Sequence, residues 1–546
     1  MAGLVAAFGS GAMTNSIPEF EADTNCFLII GSNTTEAHPL IASRVMKAKE
    51  RGAQIVVIDP RETQIARLAD LYLCPIPGVD VAVLNGLMNV IIEEGLADEA
   101  YIAERTEGYD ELKATVAAYA PGKVEQISGI PADGLRTAAR MYASAKPAAI
   151  LYTMGITQHT TGTDNVKSCA NLAMLTGNVG VAGGGVNPLR GQNNVQGACD
   201  LGGLPNVYPG YQAVSVPAVK EKFEQAWGVT GLDDQVGLTV TEIVDAAGDG
   251  RIRALYVMAE NPMMSDPDLN HARHCLERLE FLVVQDIYMT KTSELADVVL
   301  PGASFAEKDG TFTGTDRRIQ RVRKAIEPLG QAKPDWEIVC ELAHRMGASG
   351  FEFGSAAEIM DEIAAVTPIY GGVRYDRLEE LGYLQWPCPN AEHPGTPYLH
   401  KGKFSRGLGK FHALEYLAPA ELPDDEYPFT LTTGRMMFHW HTGTMTRRSD
   451  KLHQEVSSAY MEMHPEDAKR VGLNGSRRVQ VRSRRGEIEL DVRITDRIRP
   501  GIVFIPFHFA EAAANALTNA ALDPVAKIPE YKVCAVQIEA VSPEEQ

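Results

Sequence analysis

Two stretches of this chain, residues 27–75 and 255–301, have the same layout. Each begins with a run of apolar residues and passes through a helical stretch to a second apolar run, which an aspartate follows. Each then continues through Leu-Ala-Asp to a proline. Uninterrupted apolar runs are typical of strands covered on both faces, as in a parallel sheet with crossover helices. The repeat therefore predicts an α/β fold with two similar parallel sheets.

The polar residues of the two copies share one spacing. Asn33 precedes Asp59 by 26 positions, and Asn261 precedes Asp286 by 25. In parallel sheets, ligands bind beyond the carboxyl ends of the strands, where an acid that ends the second strand can accept hydrogen bonds from a ribose. Neither copy has a G-x-G-x-x-G fingerprint, so one copy alone indicates a nucleotide no more strongly than a tight turn. Because the unit is duplicated, we expect two nucleotide-like groups bound about a pseudo-twofold axis.

A glycine-rich connector, Leu175–Asp200, lies between the copies. Its three consecutive glycines require an open loop, and Arg190 follows them. An arginine there could hold a small carboxylate through two parallel hydrogen bonds, and carboxamides can read the edge of a heterocycle without adding charge. The alternative is a solvated surface loop. The carboxamides are Gln192, Asn193, Asn194 and Gln196.

From about Pro428 onward the pattern becomes that of a β-rich domain. Residues 487–494 alternate between apolar and charged, which predicts a half-buried strand, and residues 503–507 and 534–540 predict further strands. Residues 464–473 predict a short helix. The expected domains are a first α/β domain (1–190), a second (191–303), a bridging segment (304–427) and a C-terminal barrel (428–546).

Within the β-rich domain, basic side chains and histidines cluster around Trp440. If the segment is a strand, His439 and His441 lie on one face, since they are two residues apart. No third metal ligand follows at a useful spacing. We therefore expect a basic, hydrogen-bonding wall against an anionic cofactor, to which Arg435 contributes.

The composition argues against several kinds of partner and site. With 51 Lys and Arg against 71 Asp and Glu, the formal charge is −20, so we expect no nucleic-acid partner. The longest apolar stretch, Val79–Ile92, is interrupted by polar residues and is shorter than the ~20 residues that cross a bilayer, so no membrane insertion is expected. The eight cysteines include no Cys-x-x-Cys pair. They predict no metal-binding cysteine cluster and suit a cytoplasmic protein, with a periplasmic location left open.

Four segments carry a resemblance to a known family: Gly185–Gly202, Met154–Gly162, His439–Arg448 and Tyr531–Ala540. They resemble the catalytic subunit of molybdenum- or tungsten-dependent formate dehydrogenase, in the superfamily of oxidoreductases that use bis-molybdopterin guanine dinucleotide (bis-MGD). The likeness extends over essentially the entire chain. It implies two pseudo-symmetric Rossmann-like parallel-sheet domains and a double-psi-like C-terminal β-barrel. It also implies oxidation of formate to carbon dioxide and two electrons, with Arg190 orienting formate.

The resemblance further implies which residues bind the cofactor, and it implies no protein ligand to the metal within this chain. One guanine nucleotide would be lined by Gly31, Asn33, Asp59, Arg61, Gly78 and Asp80. The other would be lined by Glu260, Asn261, Gln285 and Asp286. The remaining cofactor-binding residues would be Met154, Gly155, Gln158, Gln192, Arg435, His439, His441, His508, Asn515 and Lys532.

The start of the chain departs from the family pattern. In the family, a cysteine or selenocysteine that ligates the metal and the histidine after it precede the segment matching Ala2–Leu4, and an N-terminal domain holds a 4Fe-4S cluster. These are missing here, so we expect an N-terminal truncation, with the cluster in the missing part and the chain by itself inactive or nearly so. Electrons are expected to pass to a partner subunit with iron–sulfur or flavin groups. Two alternatives stay open: a cofactor-free scaffold or electron-transfer subunit, and another bis-MGD oxidoreductase such as a nitrate reductase.

Overall fold

The computed structural model describes residues 1–473 and 477–541. Its helices are α1 Ala2–Phe8, α2 Ile17–Ala22, α3 Thr34–Ala37, α4 Pro39–Glu50, α5 Gln64–Leu68, α6 Asp80–Glu93, α7 Glu99–Arg105, α8 Tyr109–Val116, α9 Pro121–Ser128, α10 Ala132–Ser144, α11 Met154–Thr157, α12 Gly162–Leu175, α13 Val195–Asp200, α14 Pro217–Trp227, α15 Val240–Gly248, α16 Pro262–Ser265, α17 Leu269–Leu276, α18 Asp335–Arg345, α19 Ala356–Val366, α20 Tyr375–Leu381, α21 Asp450–Glu455 and α22 Pro465–Arg470.

The strands are β1 Cys26–Ile30, β2 Gln54–Ile58, β3 Leu71–Leu73, β4 Thr106–Glu107, β5 Ala148–Tyr152, β6 Val186–Pro188, β7 Val207–Tyr208, β8 Gln212–Ala213, β9 Ala254–Met258, β10 Phe281–Asp286, β11 Val298–Pro301, β12 Gly310–Thr313, β13 Arg318–Val322, β14 Leu384–Gln385, β15 Gly409–Lys410, β16 Phe429–Gly434, β17 Tyr460–Met463, β18 Arg478–Arg482, β19 Glu487–Ile494, β20 Ile502–Pro506 and β21 Cys534–Ala540. Unit 1 comprises residues 1–191, 264–270 and those from Tyr398 onward, and unit 2 comprises 192–263 and 271–397. The expected domain boundaries at residues 190, 303 and 427 stay predictions.

Unit 1 contains a five-stranded parallel sheet in the order β3-β2-β1-β5-β6. Both faces of this sheet are covered, because alternate residues of the fully buried β1 belong to different apolar clusters. Leu28 and Ile30 pack in one cluster, and Phe27 and Ile29 pack in the other. The prediction of strands buried on both faces is confirmed for β1 of this sheet but is wrong for β9 of the second copy, where Tyr256 and Met258 are 36% and 43% exposed.

Unit 2 contains a three-stranded parallel sheet in the order β11-β10-β9, which matches the order β3-β2-β1 of unit 1. The aspartate of each Leu-Ala-Asp makes the same hydrogen bond. The Ile55 N–H donates to Asp70 Oδ2 at 2.8 Å, and the Leu282 N–H donates to Asp297 Oδ2 at 2.7 Å. The repeat seen in the sequence is therefore a structural repeat, and this aspartate serves to attach the third strand of each sheet.

The turn after the first strand is also the same in both copies. Gly31 has φ 56° and its N–H donates to Ile58 O at 3.0 Å, while Ala259 has φ 53° and its N–H donates to Gln285 O at 2.8 Å. Glycine adopts this left-handed conformation without strain, whereas a residue with a Cβ pays roughly 1–2 kcal/mol for it.

The C-terminal part of unit 1 is a closed barrel in the order β16-β20-β17-β19-β18-β21, which confirms the predicted barrel. Strands β19 and β21 have the predicted bounds. Apolar side chains of these strands, including Val481, Leu490 and Val536, form its core. The predicted alternation is wrong at its last residue, because Ile494 at the strand end is 53% exposed.

None of the helices within residues 1–473 and 477–541 is long and apolar enough to cross a membrane. The apolar helix α6 lies inside unit 1, where Leu84, Leu87 and Ile91 are buried in its largest core cluster.

Candidate functional site

The carboxyl ends of the parallel strands of unit 1 bring four predicted site residues to one edge of the sheet. Gly31 follows β1, Asp59 follows β2, Gly155 comes shortly after β5, and Arg190 comes shortly after β6. Since the strands are parallel, these positions lie at the edge where ligands of such sheets bind. The repeat in the sequence thus predicts the positions of Gly31 and Asp59 after their strands, and ligand contacts at this edge stay predictions.

The loops after β1 and β5 approach each other at backbone distance. The Gly155 N–H donates to Gly31 O at 3.2 Å, and a Cβ on Gly155 would lie 2.6 Å from Gly31 Cα. Glycine is therefore required at both positions. The neighbouring Met154 is 43% exposed, and Gln158 is half-buried at the end of the short helix α11.

Two acidic side chains are largely buried behind this edge. Burial raises the pKa of Asp59 to about 6, and burial together with the nearby Asp59 charge raises the pKa of Asp80 to about 7. Asp80 is the first residue of α6. Two residues before it, Gly78 has φ 84°. Gly78 also packs closely against Pro419, because a Cβ on Gly78 would lie 2.4 Å from Pro419 Cγ.

His159 lies inside the Met154–Gly162 motif and is a candidate site residue that the sequence alone does not predict. Its Nε2 donates to Gly155 O at 2.8 Å and lies 3.8 Å from Asp80 Oδ2. Burial lowers the pKa of His159 to about 4. Its Nδ1 is buried and makes no hydrogen bond to any other described residue, so this atom could accept one from a ligand.

Two basic side chains of the C-terminal part of unit 1 lie near the acids. Lys532 donates from Nζ to Thr433 O at 2.7 Å, and burial together with the charge of Arg435 lowers the pKa of Lys532 to about 7. Burial also lowers the pKa of Arg435 to about 10. The Arg435 guanidinium lies 4.6 Å from the Trp440 ring centroid and makes no hydrogen bond within the described chain. A Cβ on Gly191 would lie 2.6 Å from Arg435 Nη2, so this guanidinium is adjacent to the backbone that follows Arg190.

This arrangement fits an anionic cofactor. Burying two neighbouring cations is costly unless an anion or hydrogen bonds compensate them. Asp59 is the carboxylate whose charge acts on Lys532, and the Arg435 guanidinium still offers a planar set of N–H donors of the kind that binds phosphate oxygens. The donor chemistry of these side chains is therefore that of a phosphate site.

Arg61 is already neutralised within the protein. Its Nε and Nη2 donate to both carboxylate oxygens of Glu462 at 2.6 and 2.7 Å, and both side chains are buried. Its backbone N–H donates to Asp59 Oδ1 at 3.0 Å. The expected contact of Arg61 with a nucleotide stays a prediction, and its observed role is to join the first sheet to the barrel.

Arg190 is half-buried, and the backbone on either side of it is fixed. The Leu189 N–H donates to Tyr152 O at 2.8 Å, and His38 Nε2 donates to Arg190 O at 2.7 Å. Asn33, at the N-terminus of α3, has a buried Nδ2 that makes no hydrogen bond to another residue of the described ranges. Both side chains have the chemistry to bind a ligand, and their roles stay predictions.

The histidines of the barrel differ from the strand prediction. Strand β16 ends at Gly434, so His439 and His441 lie in a loop, where His441 has φ 46°. His439 donates to Val456 O at 2.7 Å. Both ring nitrogens of His508 form hydrogen bonds with the backbone. Nε2 accepts one from the Met436 N–H at 3.1 Å, and Nδ1 donates one to His441 O.

Burial is the largest cause of the lowered pKa values of His508 and His441. It lowers the pKa of His508 to about 3 and, together with the charge of Arg435, that of His441 to about 4. Both rings are therefore neutral at physiological pH. Asn515 also binds backbone, since its Nδ2 donates to Met264 O at 3.1 Å and Ser265 O at 3.0 Å. Cofactor contacts of these residues stay predictions.

Unit 2 places its predicted residues at the carboxyl edge of its own sheet. Glu260 and Asn261 follow β9, and Gln285 and Asp286 end β10. Asn261 Oδ1 accepts the Thr292 hydroxyl at 2.8 Å, which ties the two loops together. Gln285 donates to Asp335 Oδ1 at 2.6 Å.

The two acidic side chains at this edge accept hydrogen bonds from nearby backbone N–H groups. Asp286 accepts the Ile287 N–H at 2.6 Å, and Glu260 accepts the Asn261 N–H. Nucleotide contacts of this set stay predictions.

The carboxamide run after Arg190 is only partly available to a ligand. Gln192 is half-buried, and Asn193 is exposed. Asn194 Oδ1 accepts the Thr313 N–H at 2.8 Å, and Gln196 donates to Asp200 Oδ1 at 2.7 Å inside unit 2. Asn194 and Gln196 therefore use these atoms to hold the interior of unit 2 together, and the reading of a heterocycle by the carboxamides stays a prediction.

Comparisons with known proteins agree with this geometry. The family model described as molybdopterin oxidoreductase matches residues 5–345, and the model described as "Molydopterin dinucleotide binding domain" matches residues 429–535. F420-dependent formate dehydrogenase 1 subunit alpha of Methanococcus maripaludis is 56% identical over 542 residues, which are 99% of this chain and 80% of that protein. Formate dehydrogenase H of Escherichia coli is 43% identical over 99% of this chain and 76% of that protein.

A solved structure shares the fold. Acetylene hydratase from Pelobacter acetylenicus has a TM-score of 0.78 and 22% identity, over 99% of this chain and 80% of that chain. At that identity the likeness shows the fold alone.

Proposed function

We propose that this chain, which belongs to the molybdopterin oxidoreductase family, is the catalytic subunit of a formate dehydrogenase. The fold does not decide the reaction, because an acetylene hydratase shares it. The proposal is supported by a likeness, over 99% of this chain, to a formate dehydrogenase alpha subunit and to formate dehydrogenase H.

The observation that carries the proposal is the position of Arg190. It comes just after β6 at the ligand-binding edge of the first sheet, and Gly191 beside it abuts the Arg435 guanidinium. A carboxylate with a single carbon could be held there by two parallel hydrogen bonds from the planar guanidinium fork. Arg190 would thus fix formate by both of its oxygens.

We infer that the cofactor is bis-MGD with molybdenum or tungsten. When bound, it supplies a metal that takes up the two electrons released as formate becomes carbon dioxide and a proton. Arg435 and Lys532 would neutralise its phosphates, since Lys532 is buried, Arg435 is half-buried, and the charge of Arg435 acts on Lys532. Asp59 and Asp286, each at the end of the second strand of a sheet, would accept hydrogen bonds from the two nucleotides. Protein groups therefore bind and position, and the redox chemistry is that of the cofactor.

Electrons would leave to a partner subunit that carries iron–sulfur or flavin groups, as the alpha-subunit names of the relatives suggest. We also propose a cytoplasmic location, because eight scattered cysteines without a Cys-x-x-Cys pair are typical of reduced thiols.

The experiment measures formate-dependent reduction of methyl viologen by the holoenzyme purified anaerobically from its native host, together with its metal and guanine nucleotide content. We expect formate to reduce the dye, and one molybdenum or tungsten with two guanine nucleotides per chain. Bound nucleotide and metal without any formate-dependent reduction would point to another oxidoreductase. Absence of both nucleotide and metal would point to a scaffold, and either result contradicts the proposal.

A further inference from the structure

Three side chains with metal-binding chemistry meet in unit 2, between α15 and the part of α17 that begins at His271. His271 and Cys275 lie on α17, and Asp245 lies on α15. Because residues four apart on a helix are neighbours on its surface, the imidazole and the thiol face the same way. His271 Nε2 is 2.9 Å from Asp245 Oδ1 and 3.5 Å from Cys275 Sγ, and the three donor atoms lie within 4.8 Å of one another.

These distances agree with the edges of a tetrahedron around zinc. With Zn–S of about 2.3 Å and Zn–N of about 2.0 Å, a tetrahedral angle puts sulfur and nitrogen about 3.5 Å apart. The observed separation of Cys275 Sγ and His271 Nε2 has this value. The corresponding nitrogen–oxygen edge is about 3.4 Å, so the Asp245 carboxylate needs to withdraw by only a few tenths of an ångström. Its exposure leaves it room to do so.

The local packing makes space for the sulfur atom. Gly248 ends α15, and a Cβ on it would lie 2.4 Å from Cys275 Sγ. Any larger residue at 248 would displace the thiol. Cys275 is 2% exposed and packs with Val244 and Ala272, whereas His271 and Asp245 are exposed. An ion could therefore enter from solvent while its bond to sulfur is shielded.

The combination of ligand types selects the metal. Calcium and magnesium prefer oxygen ligands alone, whereas a thiolate, an imidazole and a carboxylate together suit zinc. In the absence of an ion, the same side chains form an exposed histidine–carboxylate pair worth little to stability beside a buried thiol that acts as a small apolar group. A zinc titration distinguishes the two descriptions, because only the first of them predicts that the protein binds zinc.

We propose that Asp245, His271 and Cys275 bind one Zn²⁺ ion that fastens α15 to α17 within unit 2. Cys275 binds as the thiolate and releases its proton as the Zn–S bond forms, His271 binds through Nε2, and a water molecule completes the tetrahedron. The site is independent of the proposed formate oxidation and contains none of the residues assigned to it.

The test is a zinc titration of the holoenzyme after treatment with a chelator, with affinity measured by competition against a zinc-binding dye and content measured by mass spectrometry. The variants are Cys275→Ser and His271→Ala. The matched controls are His274→Ala, an exposed histidine of the same helix, and Cys340→Ser, a cysteine on α18. Asp245→Asn is a further variant, which changes an exposed side chain and leaves the thiol packing intact.

We expect wild type and both controls to bind one equivalent of zinc, and the Cys275 and His271 variants to bind it on the order of 100-fold more weakly or worse. Zinc should raise the unfolding temperature of wild type but not that of Cys275→Ser, and Asp245→Asn should be intermediate. Formate-dependent dye reduction in zinc-free buffer reports whether each variant is folded. If Cys275→Ser or Asp245→Asn binds zinc as tightly as wild type, or if wild type binds no zinc, the proposal is wrong.

Discussion

Replacing Glu462 by glutamine should destabilise unit 1 far more than an equivalent change at the surface. Glu462, on β17 of the barrel, receives two hydrogen bonds from Arg61 at 2.6 and 2.7 Å. The two side chains are only 7% and 8% exposed, and the Arg61 guanidinium lies 4.1 Å from the Phe504 ring centroid. Glutamine has nearly the same shape, so the substitution removes one charge and leaves the guanidinium buried.

The magnitude follows from the burial of the pair. Breaking a buried ion pair by neutralising one partner costs about 3–5 kcal/mol, because the other charge stays desolvated. Replacing both partners by methionine should cost much less than the single change, because no buried charge then remains. The matched control is the pair of Arg140 and Glu94, which has the same two-pronged geometry at 2.8 Å but is 54% and 33% exposed. Glu94→Gln should change the stability of the protein little, because water screens this exposed ion pair.

The assay is urea unfolding of the cofactor-free protein, followed by circular dichroism, for Glu462→Gln, Glu94→Gln and the double methionine variant. We expect the urea concentration at the midpoint of unfolding to fall markedly for Glu462→Gln and to change little for Glu94→Gln. For the double methionine variant, the midpoint should return towards that of wild type. If Glu462→Gln costs no more than Glu94→Gln, or if the double variant is as unstable as the single one, the account of a sealed ion pair between sheet and barrel is wrong.

Further predictions concern the buried charges at the edge of the first sheet. Burial lowers the pKa of Lys532 from 10.5 to about 7, so the unfolded chain binds the extra proton and the stability of cofactor-free protein should rise with pH between those values. Lys532→Met should remove that rise in thermal unfolding scans and should lower the guanine nucleotide retained by the holoenzyme, whereas full retention would argue against a phosphate contact. Burial raises the pKa of Asp80 from 3.8 to about 7. The contribution of Asp80 to the free energy of unfolding is therefore fully present below its unfolded-state pKa of 3.8, and it is lost as pH increases through 7. Asp80→Asn should flatten the decline in stability between those values, and an unchanged pH profile would contradict the burial of this carboxyl group.

The two parallel sheets could be predicted from the sequence because the duplicated unit repeats the spacing between its apolar runs and its polar residues. The placement of Asp59 and Asp286 after or at the end of the second strand follows from the apolar runs before them, and the structure confirms it. Strand β19 was predictable with its bounds, since half-buried strands alternate with a period of two.

The side-chain partners could not be predicted, because they come from distant parts of the chain. Arg61 is engaged by Glu462, 401 positions away, and Asn515 by the backbone of residues 264 and 265. His441 is in a loop with positive φ, which alternation in sequence does not reveal. The triad containing His271 and Cys275 is not predictable from spacing for the same reason, because Asp245 reaches it from another helix.

The most direct test of the central claim is the kinetics of formate oxidation by the Arg190→Lys holoenzyme, with Arg140→Lys at the surface as the control. Lysine keeps the charge but cannot form two parallel hydrogen bonds to a carboxylate. We expect kcat/KM for formate to fall on the order of 100-fold, which is about 2.7 kcal/mol of lost transition-state binding, while the nucleotide and metal content stays that of wild type. If Arg190→Lys oxidises formate as efficiently as Arg140→Lys, Arg190 does not hold the substrate and the proposed site is wrong.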